Sequence, residues 1–316
     1  HQLEMPGPMQ HGTARGGSTI LKHQALCPFR AFASNRLGAE VMETPVDGIS
    51  PALHGSLVHT VLEHFWKETK SQAELLQLDQ AALAARVWKY VNEAASEERG
   101  LKLRPAFLKV EAARVHRHVM AYLELETQRD PFEVTGFEKE MLPEIEGQPV
   151  RLFIDRIDRL PSGEEVIIDY KTGKVEPGIW FGERPEDPQL PLYAISAETT
   201  PAAVCFGILR DDGCLYKGVV MRPGLLPGLP PDKRKTTEAL IEAGENMSET
   251  IGNWRQILHR LMAEFLSGEA AVDPKNDKTC DNTYCDLHSL CRIGELRQRQ
   301  KAGEMRIAEI TGTGEK

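Results

Sequence analysis

The sequence has no apolar run approaching the roughly eighteen residues of a membrane span, and its start lacks the hydrophobic stretch of a secretory signal. Both absences point to the cytoplasm. An excess of basic residues is missing too: 38 Lys and Arg stand against 47 Asp and Glu, a net charge of −9. That argues against a protein that coats nucleic acid by bulk charge, although it leaves room for an enzyme with a local basic groove. Cysteine is sparse, six in 316 residues. In a reducing compartment these are not expected to form disulfides, so the three that crowd near the C-terminus suggest a metal or cluster site.

What is present is an alternation of helix-rich and strand-rich stretches, which predicts a mixed α/β class. The length suffices for one large domain or a core with a helical elaboration. The chain is organised around Asp155-Arg156-Ile157-Asp158 and Ile167-Ile168-Asp169-Tyr170-Lys171, two strands joined by a turn containing Pro161 and Gly163. Asp169 and Lys171 are two apart and share a strand face, which Asp155 can reach from the neighbouring strand. Two carboxylates and an amine at a sheet rim are what a divalent ion and a phosphodiester require. Taken alone, Asp-x-Lys is ordinarily a solvated ion pair. Asp158, three residues from Asp155, falls on the opposite face of a regular strand.

In chain order, residues 1–18 read as a flexible leader or linker. From Thr19 to Leu37 the apolar spacing predicts a helix interrupted at Cys27-Pro28, with Cys27 at the entrance of the second part. The stripe Leu57, Val58, Val61, Leu62, Phe65 and Trp66 predicts a helix with Ser56 as its N-cap. His59 and Glu63 share one face of it, either as a surface i,i+4 contact or as site residues. Residues 71–128 are expected to be helical with a break at 99–105, and Arg114, Arg117 and His118 form a basic face there.

A three-stranded meander follows over 132–138, 150–155 and 166–170, with Glu138 and Glu140 as peripheral acidic candidates. A short helix begins at Gln189 and places Tyr193 four residues on. Two strands, 203–209 and 215–220, flank an Asp-Asp-Gly turn, and Cys205 and Cys214 within them are expected to be structural thiols. A long helix is expected from about Thr236 to Leu266, then the segment with Cys280, Cys285 and Cys291, then a polar tail over 296–316.

The order Gly55-x-x-x-His59-x-x-Leu62-Glu63, Ile154-Asp155, Asp169-Tyr170-Lys171 and Gln189-x-x-x-Tyr193 resembles the RecB/AddB-type nuclease domain of the PD-(D/E)xK superfamily. Cys27 upstream and Cys280, Cys285 and Cys291 downstream resemble the frame of its iron–sulfur-bearing members. The resemblance spans residues 19–295. It implies a restriction-endonuclease-like core, with a mixed sheet over 132–221, a helical part over 53–128, a long helix over 234–267 and a Cys segment over 278–295 that closes with Cys27.

It further implies that Asp155, Asp169, His59 and the Tyr170 carbonyl hold Mg²⁺ or Mn²⁺, while Lys171 orients or activates water and offsets charge. Gln189 and Tyr193 would position the DNA backbone, and Glu63 would support the site. The four cysteines would hold a [4Fe–4S] cluster, although four residues separate Cys280 from Cys285 where two are usual. Zinc held with His288 is the competing ligation. The implied activity is a DNA nuclease, an exonuclease of recombination or repair, working with a helicase subunit or an upstream helicase-like domain. A non-catalytic DNA-end-binding or partner-binding module is the alternative.

Overall fold

The computed structural model describes residues 15–40, 50–97, 105–222, 224–229, 247–280 and 285–299. The chain forms two compact units, one of His1–Glu43 with Arg260–Lys316 and one of Thr44–His259. In the first, α1 (Thr19–Leu26) buries Ile20, Leu21 and Ala25 and stops at Cys27, whose backbone is extended. Pro28, which has no N–H to leave unpaired, then opens α2 (Pro28–Ala31), which runs into a π-helical turn over Phe32–Arg36. The interruption expected at Cys27-Pro28 is therefore present. Backbone bonds from Phe29 N–H to Ala271 O and from Lys275 N–H to Leu26 O, both 2.9 Å, tie the two chain ends together beside Cys27.

The second unit opens with α3 (Pro51–Glu68). Its cap is Ser50, whose Oγ accepts from Leu53 N–H at 3.1 Å, and not Ser56. Pro51 at the first helical position fixes the start six residues, nearly two turns, earlier than the apolar stripe suggested. Then come α4 (Gln72–Leu76), α5 (Gln80–Glu97) and α6 (Pro105–Glu126). The break expected before Pro105 falls outside the described residues.

The sheet follows with β1 (Glu133–Met141), a small hairpin of β2 (Glu144–Ile145) and β3 (Gln148–Pro149), then β4 (Leu152–Arg159) and β5 (Glu165–Lys171). The hairpin is absent from the sequence reading because its strands are two residues long. After a 3₁₀ turn at Pro177–Trp180 come α7 (Gln189–Ser196), β6 (Ala203–Arg210) and β7 (Gly213–Val220). The helix α8 (Met247–Ser267) and a single turn, α9 (His288–Cys291), complete the elements used below. The start of the long helix expected at Thr236 lies outside the described residues. Residues 293–299, which run from the Cys segment into the segment read as a polar tail over 296–316, are helical as far as they are described.

The five-stranded sheet has the order β1-β4-β5-β6-β7. All neighbours are antiparallel except β5 and β6, which are parallel and need the crossover that α7 supplies. This is the mixed sheet flanked by helices that a restriction-endonuclease-like core requires. One face carries α3, α5 and α6: Val61, Phe65, Trp66, Val91, Val119 and Tyr122 pack on Ile168, Tyr170, Cys205 and Tyr216. Burying each large side chain contributes about 1.5–3 kcal/mol. On the other face Trp180 lies 4.6 Å from Phe206, and Trp254 Nε1 donates to the Trp180 carbonyl at 3.0 Å.

Gly207 on β6 makes one close approach possible. A Cβ there would stand 2.6 Å from the Tyr122 hydroxyl and 3.1 Å from the Tyr170 ring. Among the described residues no helix is long and apolar enough to cross a membrane.

Beneath this sheet face lies a fully enclosed ionic group. Arg156 donates to Asp158 at 2.6 and 2.9 Å and to both oxygens of Glu126 at 3.1 Å, while Arg129 donates to Glu126 at 2.8 Å and Asp158 at 2.7 Å. Tyr216 also donates to Glu126, and the Arg156 guanidinium lies 3.9 Å from the Trp66 ring centroid. Asp158 thus points away from Asp155, as strand alternation predicts. Burial alone would raise the Glu126 carboxyl, but Arg156 and Arg129 outweigh it and hold the group down at about 2.

Replacing Glu126 by alanine leaves two buried guanidinium groups short of a counter-charge. A loss of about 3–5 kcal/mol in urea unfolding is expected. Because the folded carboxyl titrates below its ordinary 4.5, its contribution is complete above that value and is lost as pH falls toward 2. Acid titration of the Ala variant should lack that component.

Candidate active site

The pairing of β4 with β5 ends at Arg156–Ile168. Two residues further along β5, side chains take over from the ladder. Tyr170 N–H donates to Asp155 Oδ2 at 2.7 Å, and the Tyr170 carbonyl accepts from His59 Nε2 at 2.9 Å. A carbonyl can only accept, so Nε2 carries a proton. His59 Nδ1 lies 3.4 Å from Asp155 Oδ2. Burial disfavours the imidazolium, but Asp155, through its hydrogen bond and charge, and Asp169 outweigh that and raise His59 to about 9. With an acceptor at each nitrogen, the ring holds both protons.

Glu138 enters the same cluster. The pairs Phe137↔Arg156 and Lys139↔Ile154 bracket it, which puts Glu138 across from Asp155. Its backbone is left-handed, φ 39°, a conformation that a non-glycine residue adopts at a cost. Ligand atoms of His59, Glu138 and Asp155 all lie within 4.8 Å of one another, the one such group among the described residues. Burial, Asp155 and Glu63 raise the Glu138 carboxyl to about 7. Glu138 is therefore a central residue and not a peripheral one, whereas Glu140 pairs with the exposed Arg151 at 2.5 Å. Strand alternation could have shown that Glu138 and Asp155 share a face once their register was known.

Asp169 and Lys171 share the face that alternation predicts, with Lys171 Nζ 2.5 Å from Asp169 Oδ2. Asp169 is 1% exposed, and burial together with Asp155 raises its carboxyl to about 7 despite Lys171. Burial opposes the charge on Lys171, yet Asp169 prevails and its pKa stays above the ordinary value. The amine is a cation at neutral pH.

On α7, Gln189 Nε2 donates to the Tyr193 hydroxyl at 2.8 Å and to the Phe153 carbonyl at 3.4 Å. Tyr193 is 1% exposed, so it holds Gln189 in place and offers no surface of its own. Glu63 pairs with Lys67 and borders the cleft without joining the three-residue group. Arg114, Arg117 and His118, the expected basic face, all converge on Asp211, at 3.0, 2.6 and 2.9 Å. His118 Nδ1 and His54 Nε2 lie 3.2 Å apart, and His54 pairs with Glu111, so the first turn of α3 is fastened to α6.

The four cysteines Cys27, Cys280, Cys285 and Cys291 all lie in the smaller unit as free thiols. The Cys280 thiol is raised by burial first and, against the pull of Arg297, by Cys27, Cys285 and Cys291 around it. The other two cysteines lie in the sheet pair, where burial pushes Cys205 and Cys214 up, as structural thiols require.

No curated protein matches the chain. A solved structure described as "Crystal structure of SSO0001" is 14% identical, with 86% of this chain and 94% of that chain covered at a TM-score of 0.30. A family model described as the PD-(D/E)XK nuclease superfamily matches residues 19–292, a span that takes in the paired carboxylates, the lysine and the cysteines described above. The chain belongs to the PD-(D/E)XK nuclease superfamily.

Proposed function

We propose that the chain is a divalent-metal-dependent deoxyribonuclease of the RecB/AddB type that hydrolyses phosphodiester bonds at DNA ends, as an exonuclease of recombination or repair. The observation that carries this reading is the convergence of His59, Glu138, Asp155, Asp169 and Lys171 where β4 and β5 part. The donor set fits a hard cation: carboxylate oxygens of Asp155, Glu138 and Asp169, the Tyr170 carbonyl, and one imidazole that favours tolerance of Mn²⁺ alongside Mg²⁺. Such an ion supplies Lewis-acid polarisation of a phosphate oxygen and acidifies a water.

The chain's own groups do the rest. Lys171, kept protonated by Asp169, offsets negative charge that builds on the phosphate and orients the water; it is no base while it holds its proton. Asp155 fixes the Tyr170 backbone and so the position of its carbonyl. Gln189, braced by Tyr193, presents its amide beside β4. A non-catalytic end-binding module is not favoured, because none of these groups has been lost. A helicase-type partner that delivers the strand belongs to the same reading and rests on the resemblance alone.

The smaller unit fits the iron–sulfur type by its chemistry: four free thiols from both chain ends, close enough to raise Cys280. No three ligand atoms that include a thiol lie within 4.8 Å of one another among the described residues. One zinc ion with Zn–S bonds of about 2.3 Å asks for a tighter frame than this. A cluster held there would cross-link the first and last parts of that unit.

End-labelled single- and double-stranded DNA incubated with Mg²⁺ and with Mn²⁺ should be degraded by the wild type. Asp169→Asn and Lys171→Ala should each lower the rate by about 10²–10³-fold or more with the circular dichroism spectrum unchanged. Activity that survived either change would sink the assignment. Calorimetric titration with Mn²⁺ supplies a second test. Glu138 and Asp169 titrate near 7 and His59 near 9, so affinity should fall as pH drops from 9 through 7, and binding should release protons. Glu138→Gln should weaken binding about 10- to 100-fold, the scale of losses even for residues outside the ligand shell, and reduce that release. Anaerobically purified protein should contain iron and sulfide and absorb in the visible blue, and Cys27→Ser should lose both. Zinc without iron would overturn the cluster.

A further inference from the structure

We infer that Phe153 is a stacking platform for an unpaired nucleobase, and that it directs the active site toward single strands and frayed ends. The inference rests on the nuclease reading above and adds a substrate class to it.

Phe153 stands out within its own strand. The five residues after it on β4, Ile154 to Asp158, are all buried, yet Phe153 is 43% exposed. Strand alternation puts its ring on the face of Asp155, two residues on. It borders an open cleft of about 640 Å³ together with His59, Glu63 and Glu138. The Arg151 guanidinium, itself exposed, lies 5.6 Å from the ring centroid. Phe153 also sits beyond the last β4–β5 pair, where its carbonyl accepts from Gln189 Nε2, while on the other side it pairs with Glu140 of β1. The ring is thus held by a braced backbone at the edge of the metal-ligating group. By contrast, the exposed Trp88 stacks on His116 with ring centroids 4.3 Å apart and already has a partner.

The exposed ring selects the occupant. Among the described residues lining the cleft there is no lysine or arginine, while two glutamates face it. Phosphate contacts from basic residues serve single strands and duplexes alike, so the lining leaves the ring as the group that can hold a nucleotide. Stacking of a base on an aromatic ring is sequence-tolerant and needs no charge, and a base can reach the ring only if it is not enclosed in a duplex. Arg151, which pairs with Glu140, lies against the ring and supports its orientation.

The test compares wild type, Phe153→Ala and Phe153→Trp in Ca²⁺ and in Mn²⁺. The probes are a short single strand carrying 2-aminopurine, the same strand with abasic positions, and a blunt duplex. Phe153 is exposed, so both variants are expected to fold, and thermal melts check this. The Ala variant should bind the single strand about 5- to 150-fold more weakly and lose the fluorescence quenching of 2-aminopurine. Its KM for that strand should rise while kcat is retained, and Phe153→Trp should restore both. The abasic strand and the blunt duplex should not distinguish the three proteins. A wild type that binds and cuts, with an Ala variant that does the same to single strands, overturns this inference alone, as does an equal loss on duplex and single strand. A wild type that neither binds nor cuts any strand removes the nuclease reading and this inference with it.

Discussion

The site depends on a substitution within the sheet. Where β4 stops pairing with β5, the Asp155 carboxylate accepts the Tyr170 N–H and His59 donates to the Tyr170 carbonyl. Opening two central strands would otherwise leave buried backbone groups without partners, at a cost comparable to a lost hydrogen bond for each. The residues that could ligate a cation are the ones that close this gap. Candidate site and fold therefore share the same bonds, and a metal bound there would compete for atoms that already hold the strand end in order.

A second constraint lies on the opposite face. Arg156 follows Asp155 directly and is enclosed with Glu126, Asp158 and Arg129. Desolvating four charges is expensive, and well-packed apolar side chains of similar size would often be as stable. The hydrogen bonds among the four charges tie β4 to α6 through Arg156 and Glu126. Arg156 also donates to the Tyr170 hydroxyl at 3.3 Å, so the network reaches the residue whose backbone forms part of the site. Side chains on both faces thereby fix β4 and β5 where backbone pairing stops.

Much of this was legible in the residues, because it followed from periodicity. Asp169 and Lys171 two apart, Asp158 turned away from Asp155, the interruption at Cys27-Pro28 and the order of strands in the meander all come from alternation or from proline's missing N–H. Glu138 was not legible as a central residue. Its place depends on the register of β1 against β4 and on a left-handed backbone, and neither is encoded in a local pattern. The partner of the basic group on α6 was not legible for a related reason: Asp211, ninety-odd residues away, pairs with Arg114 and Arg117, which stay exposed, and with His118. Ser56 looked like a cap because the apolar stripe starts beside it, whereas Pro51 had already set the helix start.

Gly207 shows how an absent atom can set a tolerance. It lets the Tyr122 hydroxyl and the Tyr170 ring rest against β6 within what would be contact distance of a Cβ. Tyr170 is the residue whose carbonyl and N–H face the candidate ligands, so the depth at which its ring seats fixes the height of those backbone atoms above the sheet. A single methyl group on the neighbouring strand would act as a shim under the end of β5 that faces the candidate ligands, displacing it without touching any charged residue. The accuracy of this centre is thus partly a matter of clearance, held by a position that carries no side chain and takes no part in the chemistry.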